Sequence, residues 1–370
     1  MLDVSGSMAG EKLAAVRRAV GLLLQRLRAT DRVTLVSFAS DVLVHADQLS
    51  PKGTTGLRLA QEVATLQPRG STNLSAGWLA AVGLCGAVAD PARRRALVVL
   101  SDGQANEGIV SPTELAALCE RPEIRSLPTT CVGVGADYST LQLAAISDGT
   151  GGRFHHAATT EEILAVLAGE LEELEQGGFH ELEFGLEGPR ELELDALGTG
   201  RVQRIGNLWR ISLGALVPGL PRKFVFGLEL PARLPGVRDE LAVACSAIRA
   251  SDGTLWEDGA CLELEWSLAP GPAPSPADEL LVVQRTAAWL RRRAAELNEL
   301  GDLAQVAELR RKWLQALRQY AATNPQALAE LDRLESELYT VQMELPPLER
   351  KELFVRGLKS SRDERDLRRR

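Results

Sequence analysis

Asp3, Ser5 and Ser7 stand at alternate positions near the N-terminus, immediately ahead of an amphipathic helical run. Three oxygen donors at that spacing, with no His or Cys beside them, make a hard ligand set. Such a set suits Mg²⁺ or Mn²⁺, with Ca²⁺ a further oxygen-seeking ion, rather than Zn²⁺. Taken alone, the string has a plainer use, because Asp and Ser just before a helix are also N-caps. Two further segments shift the balance. Gly70-Ser71-Thr72-Asn73 precedes a helical run that begins near Leu74, and Leu97-Val98-Val99-Leu100-Ser101-Asp102-Gly103 reads as a buried strand ending in an acid. In a doubly wound α/β sheet, loops at the carboxyl ends of parallel strands converge where strand order reverses. Asp3, Ser5, Ser7, Thr72 and Asp102 would then offer five oxygens from three loops to one ion.

The elements needed to bring those loops together follow from the periodicity. Leu13, Val16, Val20, Leu23, Leu24 and Leu27 recur at helical spacing, with Lys12, Arg17, Arg18, Arg26 and Arg28 on other faces. Residues 32–38 read as a strand, and 42–45 as a short partner across the Ala39-Ser40-Asp41 turn, the antiparallel edge strand. Helices are predicted over 56–66, 74–89 and 112–120, the last capped by Ser111. Strands over 97–101, 129–134 and 152–156 alternate with these and with helices over 141–146 and 160–176. Strand alternating with helix implies a mostly parallel sheet covered on both faces.

These three separated motifs resemble the metal-ion-dependent adhesion site of the von Willebrand factor type A family: D-x-S-x-S, then a Thr, then an Asp. They occur here in that order, as Asp3/Ser5/Ser7, Thr72 and Asp102, and the resemblance covers about the first half of the chain. It implies that Ser5 and Ser7 bind the ion directly, Thr72 directly or through water, and Asp3 and Asp102 mainly through ordered waters. It also implies a protein partner that offers an exposed Asp or Glu, and a bacterial multi-domain arrangement. The resemblance further implies a partner ATPase or phosphorylation machinery, beside which related proteins often work.

Beyond Gly177-Gly178 the pattern changes. Segments 179–187, 191–196, 201–205, 208–213, 222–230, 240–249 and 260–268 alternate apolar and polar residues, the mark of short antiparallel strands packed as a β-sandwich. Prolines at 270, 272, 274 and 276 make a linker. Helices are expected over 278–300, 303–322 and 327–345, folded back at Gly301-Asp302 and Asn324-Pro325, with a short amphipathic segment over 348–358. The expected division is a type A domain over 1–176, a sandwich over 178–268, the linker over 269–277, a helical hairpin or bundle over 278–358, and a charged tail over 359–370. A central first strand of ordinary length would need residues upstream of Met1-Leu2, so a late start or a truncation is expected.

Composition narrows function further. The chain of 370 residues carries 42 Lys and Arg against 50 Asp and Glu, a formal charge of −8, which argues against a nucleic-acid surface as its main purpose. Cysteines 85, 119, 131, 245 and 261 have no C-x-x-C spacing and are odd in number. A reducing, cytoplasmic setting fits them best. Cys245 and Cys261 could face each other across two strands, although buried free thiols are the commoner outcome. No secretory segment or membrane-length apolar run is present in the sequence. P-loop, H-E-x-x-H and nucleophile-elbow motifs are absent too.

The expected role is therefore a non-enzymatic, metal-dependent interaction module or scaffold. A Mg²⁺-dependent phosphohydrolase is the alternative from another class, with Glu107, Asp148, His155 and His156 as the available acid–base groups. An assembly adaptor acting through the C-terminal helices is the third. In it, self-association is possible, while Arg291–Arg293 and 310–312 read by default as solvated faces.

Overall fold

The computed structural model describes residues 1–86, 95–125, 127–135, 138–176, 178–197, 200–216, 222–249, 252–269, 271, 273–341 and 343–361. The chain divides into two compact units. One comprises Met1–Leu182 with Gly214–Gly219 and Ala247–Trp256, and the other Glu183–Leu213 with Leu220–Ser246 and Glu257–Arg370.

The first unit is built on a six-stranded sheet. In chain order its elements are β1 (Leu2–Asp3), a 3-10 turn (Gly6–Met8), α1 (Glu11–Arg26), β2 (Val33–Phe38), β3 (Val42–Leu49), α2 (Gly53–Thr65) and α3 (Leu74–Gly86). There follow β4 (Leu97–Ser101), α4 (Pro112–Leu118), α5 (Pro122–Arg125), β5 (Thr129–Val134), α6 (Thr140–Thr150), β6 (Phe154–Ala157) and α7 (Thr160–Gln176). Strand order is β3-β2-β1-β4-β5-β6, parallel except for the β2–β3 pair. The chain leaves β1 toward β2 and β3, then returns to the other side for β4, β5 and β6. Order therefore reverses between β1 and β4, the position at which doubly wound sheets bind ligands.

The helical stripe read from the sequence packs as expected. Leu13, Val16, Val20 and Leu24 of α1 join Leu59 and Val63 of α2 and Ile163 and Leu167 of α7 in one aliphatic core over the sheet. On the other face Trp78 of α3 is fully buried and donates its Nε1–H to Thr129 Oγ1 at 3.3 Å. Gly77 allows that helix to approach, since a Cβ there would stand 2.7 Å from Phe38 Cβ. Ser111 caps α4 as predicted, its Oγ accepting from Glu114 N at 3.4 Å. The four-residue α5 was not foreseen.

The antiparallel part holds β7 (Phe179–Glu187), β8 (Glu193–Asp195), β9 (Arg201–Ile205), β10 (Leu208–Leu216), β11 (Gly227–Glu229), β12 (Arg238–Arg249) and β13 (Leu255–Glu265). Five of these form a sheet in the order β13-β12-β7-β10-β9, and β8 pairs with β11. The strand expected over 222–230 is reduced to β11, whose ladder among the described residues is the three-residue match to β8. Among the residues ahead of it, Phe226 stacks on Phe184 at 4.9 Å and Arg222 lies over the Phe224 ring. None of the five cysteines is in a disulfide; Cys245 is half-buried and Cys261 exposed, so neither is the buried thiol expected.

Four helices complete the chain: α8 (Pro276–Glu299), α9 (Leu303–Tyr320), α10 (Pro325–Thr340) and α11 (Pro347–Ser361). Their starts match the stops read from the sequence. Asp302 Oδ1 accepts from Gln305 N at 3.0 Å and Asn324 Oδ1 from Ala327 N at 3.2 Å, two N-caps. The third helix ends at Thr340, short of the predicted Leu345. Buried Asn298 takes over instead, donating to the Met343 carbonyl at 2.9 Å and accepting from Leu345 N at 3.0 Å. The segment over 348–358 is a full helix, and Gly357 lets it approach α8, since a Cβ there would stand 2.6 Å from the Ala288 carbonyl oxygen.

The arginine run of α8 corrects a sequence expectation. Arg291 and Arg292 are 3% and 8% exposed rather than solvated. Arg291 Nε meets Glu337 Oε2 at 2.6 Å and its Nη2 meets Glu330 Oε1 at 2.8 Å, while Arg292 lies over the Phe354 ring at 5.1 Å. Charge pairing and ring stacking supply most of what water would have supplied, while Arg291 Nη1 is buried without a hydrogen-bond partner among the described residues. Trp289 and Trp313 meet edge-on at 5.1 Å between α8 and α9. Among the described residues no helix is long and apolar enough to cross a membrane.

Candidate metal centre

Asp3 ends β1 and Asp102 follows β4, so the parallel pairing of these strands sets the two acids side by side at the reversal point. Both are fully buried, as are Ser5 and Thr72 to within a few per cent, whereas Ser7 is exposed. Ser5 Oγ lies 3.0 Å from Ser7 Oγ, and Ser7 Oγ donates to Asp102 Oδ1 at 2.8 Å. Asp3 Oδ1 accepts from Ser5 N at 2.8 Å and its Oδ2 accepts from Ser101 Oγ at 2.5 Å. Burial raises the Asp3 carboxyl above the usual carboxylate range, opposed by the Ser101 and Ser5 hydrogen bonds.

Thr72 joins the group from the second loop. A Cβ added to Gly103 would lie 3.2 Å from both Ser7 Oγ and Thr72 Oγ1 and 3.9 Å from Asp3 Oδ2. Oxygens of the first two loops thus lie about one point beside Gly103 of the third, and glycine leaves that point clear. The donor set is two carboxylates and three hydroxyls, hard oxygens that fit Mg²⁺, Mn²⁺ or Ca²⁺. Among the described residues there is no cluster of three His, Cys, Asp or Glu that could hold a metal by itself.

Main-chain hydrogen bonds hold the loops in register. Arg69 N donates to the Val4 carbonyl at 2.7 Å and Gly6 N to the Gly70 carbonyl at 3.1 Å. The Thr72 carbonyl accepts from Asn106 N at 3.0 Å and from Glu107 N at 3.2 Å, while Thr72 N donates to Asn106 Oδ1 at 2.9 Å. Asn73 N reaches the Ala39 carbonyl at 2.8 Å, and Asn73 Oδ1 accepts from Ala76 N at 3.1 Å at the start of α3.

Residues 1–169 match the family profile of the von Willebrand factor type A domain. This part of the chain is a von Willebrand factor type A domain. Over 178 residues the chain is 25% identical to Uncharacterized protein YfbK of Escherichia coli, covering 47% of this chain and 30% of that one. Over 161 residues it is 28% identical to inter-alpha-trypsin inhibitor heavy chain H4 of Bos taurus, covering 40% of this chain and 17% of the other. The chain therefore spans less than a third of the length of these curated relatives. Two solved structures share the fold over nearly the whole chain, each at 16% identity. A von Willebrand factor type A protein from Catenulispora acidiphila superposes with a TM-score of 0.66 over 96% of this chain and 87% of its own. The ArnB paralog VWA2 from Sulfolobus acidocaldarius superposes with a TM-score of 0.55 over 98% and 88%. The antiparallel sheet and the C-terminal helices thus belong to a shared architecture that extends beyond the type A domain.

Four contributors to the site escaped the sequence reading. Ser101 had a usable signal, because Leu2 pairs with Leu100 and the next residue along β4 must stand beside Asp3. Lys12 falls off the apolar stripe of α1, as noted, yet its Nζ reaches Asp102 Oδ2 at 2.5 Å. Gly103 and Asn106 gave no pattern to read.

The acid–base groups proposed for the enzyme alternative do not assemble at this site. His156 Nδ1 faces Tyr138 OH at 3.0 Å, and His155 Nε2 lies 3.7 Å from Glu170 Oε1. Asp148 sits in the last turn of α6, which leads to the start of β6 and so to the opposite end of the sheet. Glu107 contributes its backbone N–H to Thr72. A separate Ser37–His45–Glu62 string has the order of a hydrolytic triad, with Ser37 Oγ 2.7 Å from His45 Nε2. Ser37 is however 0% exposed and the His45 Nδ1 to Glu62 Oε2 distance is 3.8 Å, so no nucleophile is offered to a substrate.

Proposed function

We propose that this protein is a metal-dependent protein–protein interaction module. In this reading residues 1–176 recognise the partner, and residues 178–268 and 278–358 carry the recognition domain. Asp3, Ser5, Ser7, Thr72 and Asp102 hold a divalent ion, Mg²⁺ or Mn²⁺ in the first instance. The single observation behind this is the clear point beside Gly103 of the third loop, faced by oxygens of the other two.

A bound divalent ion would supply a Lewis-acidic position for a carboxylate oxygen of the partner's Asp or Glu. The protein's own groups prepare that position. Ser5, Ser7 and Thr72 are neutral, so they hold without cancelling charge, while buried Asp3 and Asp102 supply the negative charge that draws a cation in. Exposed Ser7 marks the side from which a ligand can approach. The partner is proposed to be a protein, and the setting cytoplasmic.

The test is retention of partners by wild-type protein, Asp3→Ala and Asp102→Ala, in Mg²⁺ and in EDTA, beside direct Mn²⁺ binding. Wild type should retain a partner in Mg²⁺ and release it in EDTA, and both variants should lose Mn²⁺ affinity by about tenfold or more. Undiminished retention in EDTA, or by the Asp102 variant, overturns the reading.

A further inference from the structure

Asp102 has both of its oxygens engaged by groups of this chain. Oδ1 accepts the Ser7 hydroxyl at 2.8 Å and Oδ2 accepts the Lys12 ammonium at 2.5 Å. A hydroxyl or amide would suffice to orient the acid. An ammonium also brings a full positive charge, which acts on any cation sharing that carboxylate. The carboxylate is 0% exposed and the lysine side chain 28%, so water screens the pair poorly from within while Nζ can still be approached from outside.

Charge counting shows what this does. Among the groups joined by these hydrogen bonds, Asp3 and Asp102 carry two negative charges and Lys12 one positive, which leaves one negative. Within these groups a bound divalent ion would bring the sum to one positive, and one incoming carboxylate would bring it to zero. Like charges close together in a dry site repel strongly, and a net charge there is costly. A site with ion but without ligand would be the state that Lys12 penalises.

We propose that Lys12 couples ion and ligand: it weakens binding of the divalent cation alone and favours the cation together with a carboxylate. The inference rests on the metal-dependent reading above and adds to it a residue and an order of preference. Because a coupling free energy is reciprocal, the factor by which a carboxylate tightens the ion is the factor by which the ion tightens the carboxylate. Ligand class is narrowed as well. Within the named groups a single carboxylate would offset the charge left by the ion, whereas a neutral carbonyl or hydroxyl oxygen would not.

The experiment measures Mn²⁺ affinity from the electron paramagnetic resonance signal of free ion, for wild type, Lys12→Gln and Lys12→Arg. Each is titrated at fixed ionic strength with chloride alone and with acetate. Lys12→Gln is expected to bind Mn²⁺ alone about tenfold more tightly than wild type. Acetate should tighten Mn²⁺ binding by about threefold or more in wild type and far less in Lys12→Gln. Lys12→Arg, which keeps the charge, should follow wild type in both. If Lys12→Gln binds Mn²⁺ no more tightly, or if acetate tightens both proteins equally, the coupling role is overturned. Asp102→Ala separates the two levels: Mn²⁺ binding as tight as wild type in that variant overturns the metal site itself, and with it the role of Lys12.

Discussion

Asp102 and Arg291 are both charged and both buried, at 0% and 3% exposure, but their surroundings differ in kind. Arg291 is closed in by Glu330 and Glu337, carboxylates of the helix packed against it. Asp102 receives one neutral hydroxyl and one lysine, and the hydroxyl belongs to an exposed residue. The contrast separates two uses of buried charge. In the helices the counter-charge comes from the same bundle and is fixed, so the pair specifies a packing arrangement. At the carboxyl ends of β1 and β4 the negative charge is only partly offset, which leaves it something to attract.

The contrast breaks if the two regions respond alike to substitution. Arg291→Ala removes the buried partner of two half-buried glutamates, which keep only the more exposed Arg333 and Arg356, and should cost about 2–3 kcal/mol, seen as an earlier loss of helical circular dichroism in denaturant. Its Mn²⁺ affinity should stay at the wild-type value; a parallel fall would mean that the regions are not independent. Gly103→Ala inverts that pattern. The added methyl would lie 3.2 Å from Ser7 Oγ and Thr72 Oγ1, so Mn²⁺ affinity, read by calorimetry, should drop by about tenfold, or about 1.4 kcal/mol. Stability should change by less than about 1 kcal/mol, because only hydroxyl rotors need to give way.

Two smaller effects sharpen the comparison between helix starts. Asn324 caps α10 and also donates through Nδ2 to the Pro276 carbonyl at 2.8 Å. Asn324→Ala should therefore cost about 2 kcal/mol by denaturant titration. Ser111 makes one exposed cap bond of 3.4 Å, and Ser111→Ala should cost about 1 kcal/mol or less. Equal losses in the two variants would remove the assigned second role of Asn324.

Legibility differed between parts of the chain for physical reasons. The doubly wound sheet could be read because buried parallel strands are short runs of aliphatic residues and the helices between them keep a 3.6-residue stripe, as in Leu13, Val16 and Val20. That Asp3 and Asp102 stand at the carboxyl ends of strands could be read because strand ends follow from that alternation. Lys12 could not, since helix periodicity says which residues leave the core and nothing about which loop they meet. Arg291 was misread for the same reason: its partners lie 39 and 46 residues away. The strand over 222–230 was overestimated because alternation reports a tendency to extend, whereas a ladder also needs a neighbour of equal length.

The pair of amide hydrogens converging on the Thr72 carbonyl, together with the Arg69–Val4 and Gly6–Gly70 links, has a consequence for how the protein could be altered. A segment sewn by its backbone to two others tolerates a new side chain but not a new length. Gln104 is exposed and takes no part in those links, so it is a place where a different preference could be written without disturbing the frame beneath, whereas at Gly108, with φ +72°, a Cβ would stand 2.3 Å from Asn73 Oδ1. Diversification of this molecule's choice of companion should begin there, by exchange of residues rather than by insertion.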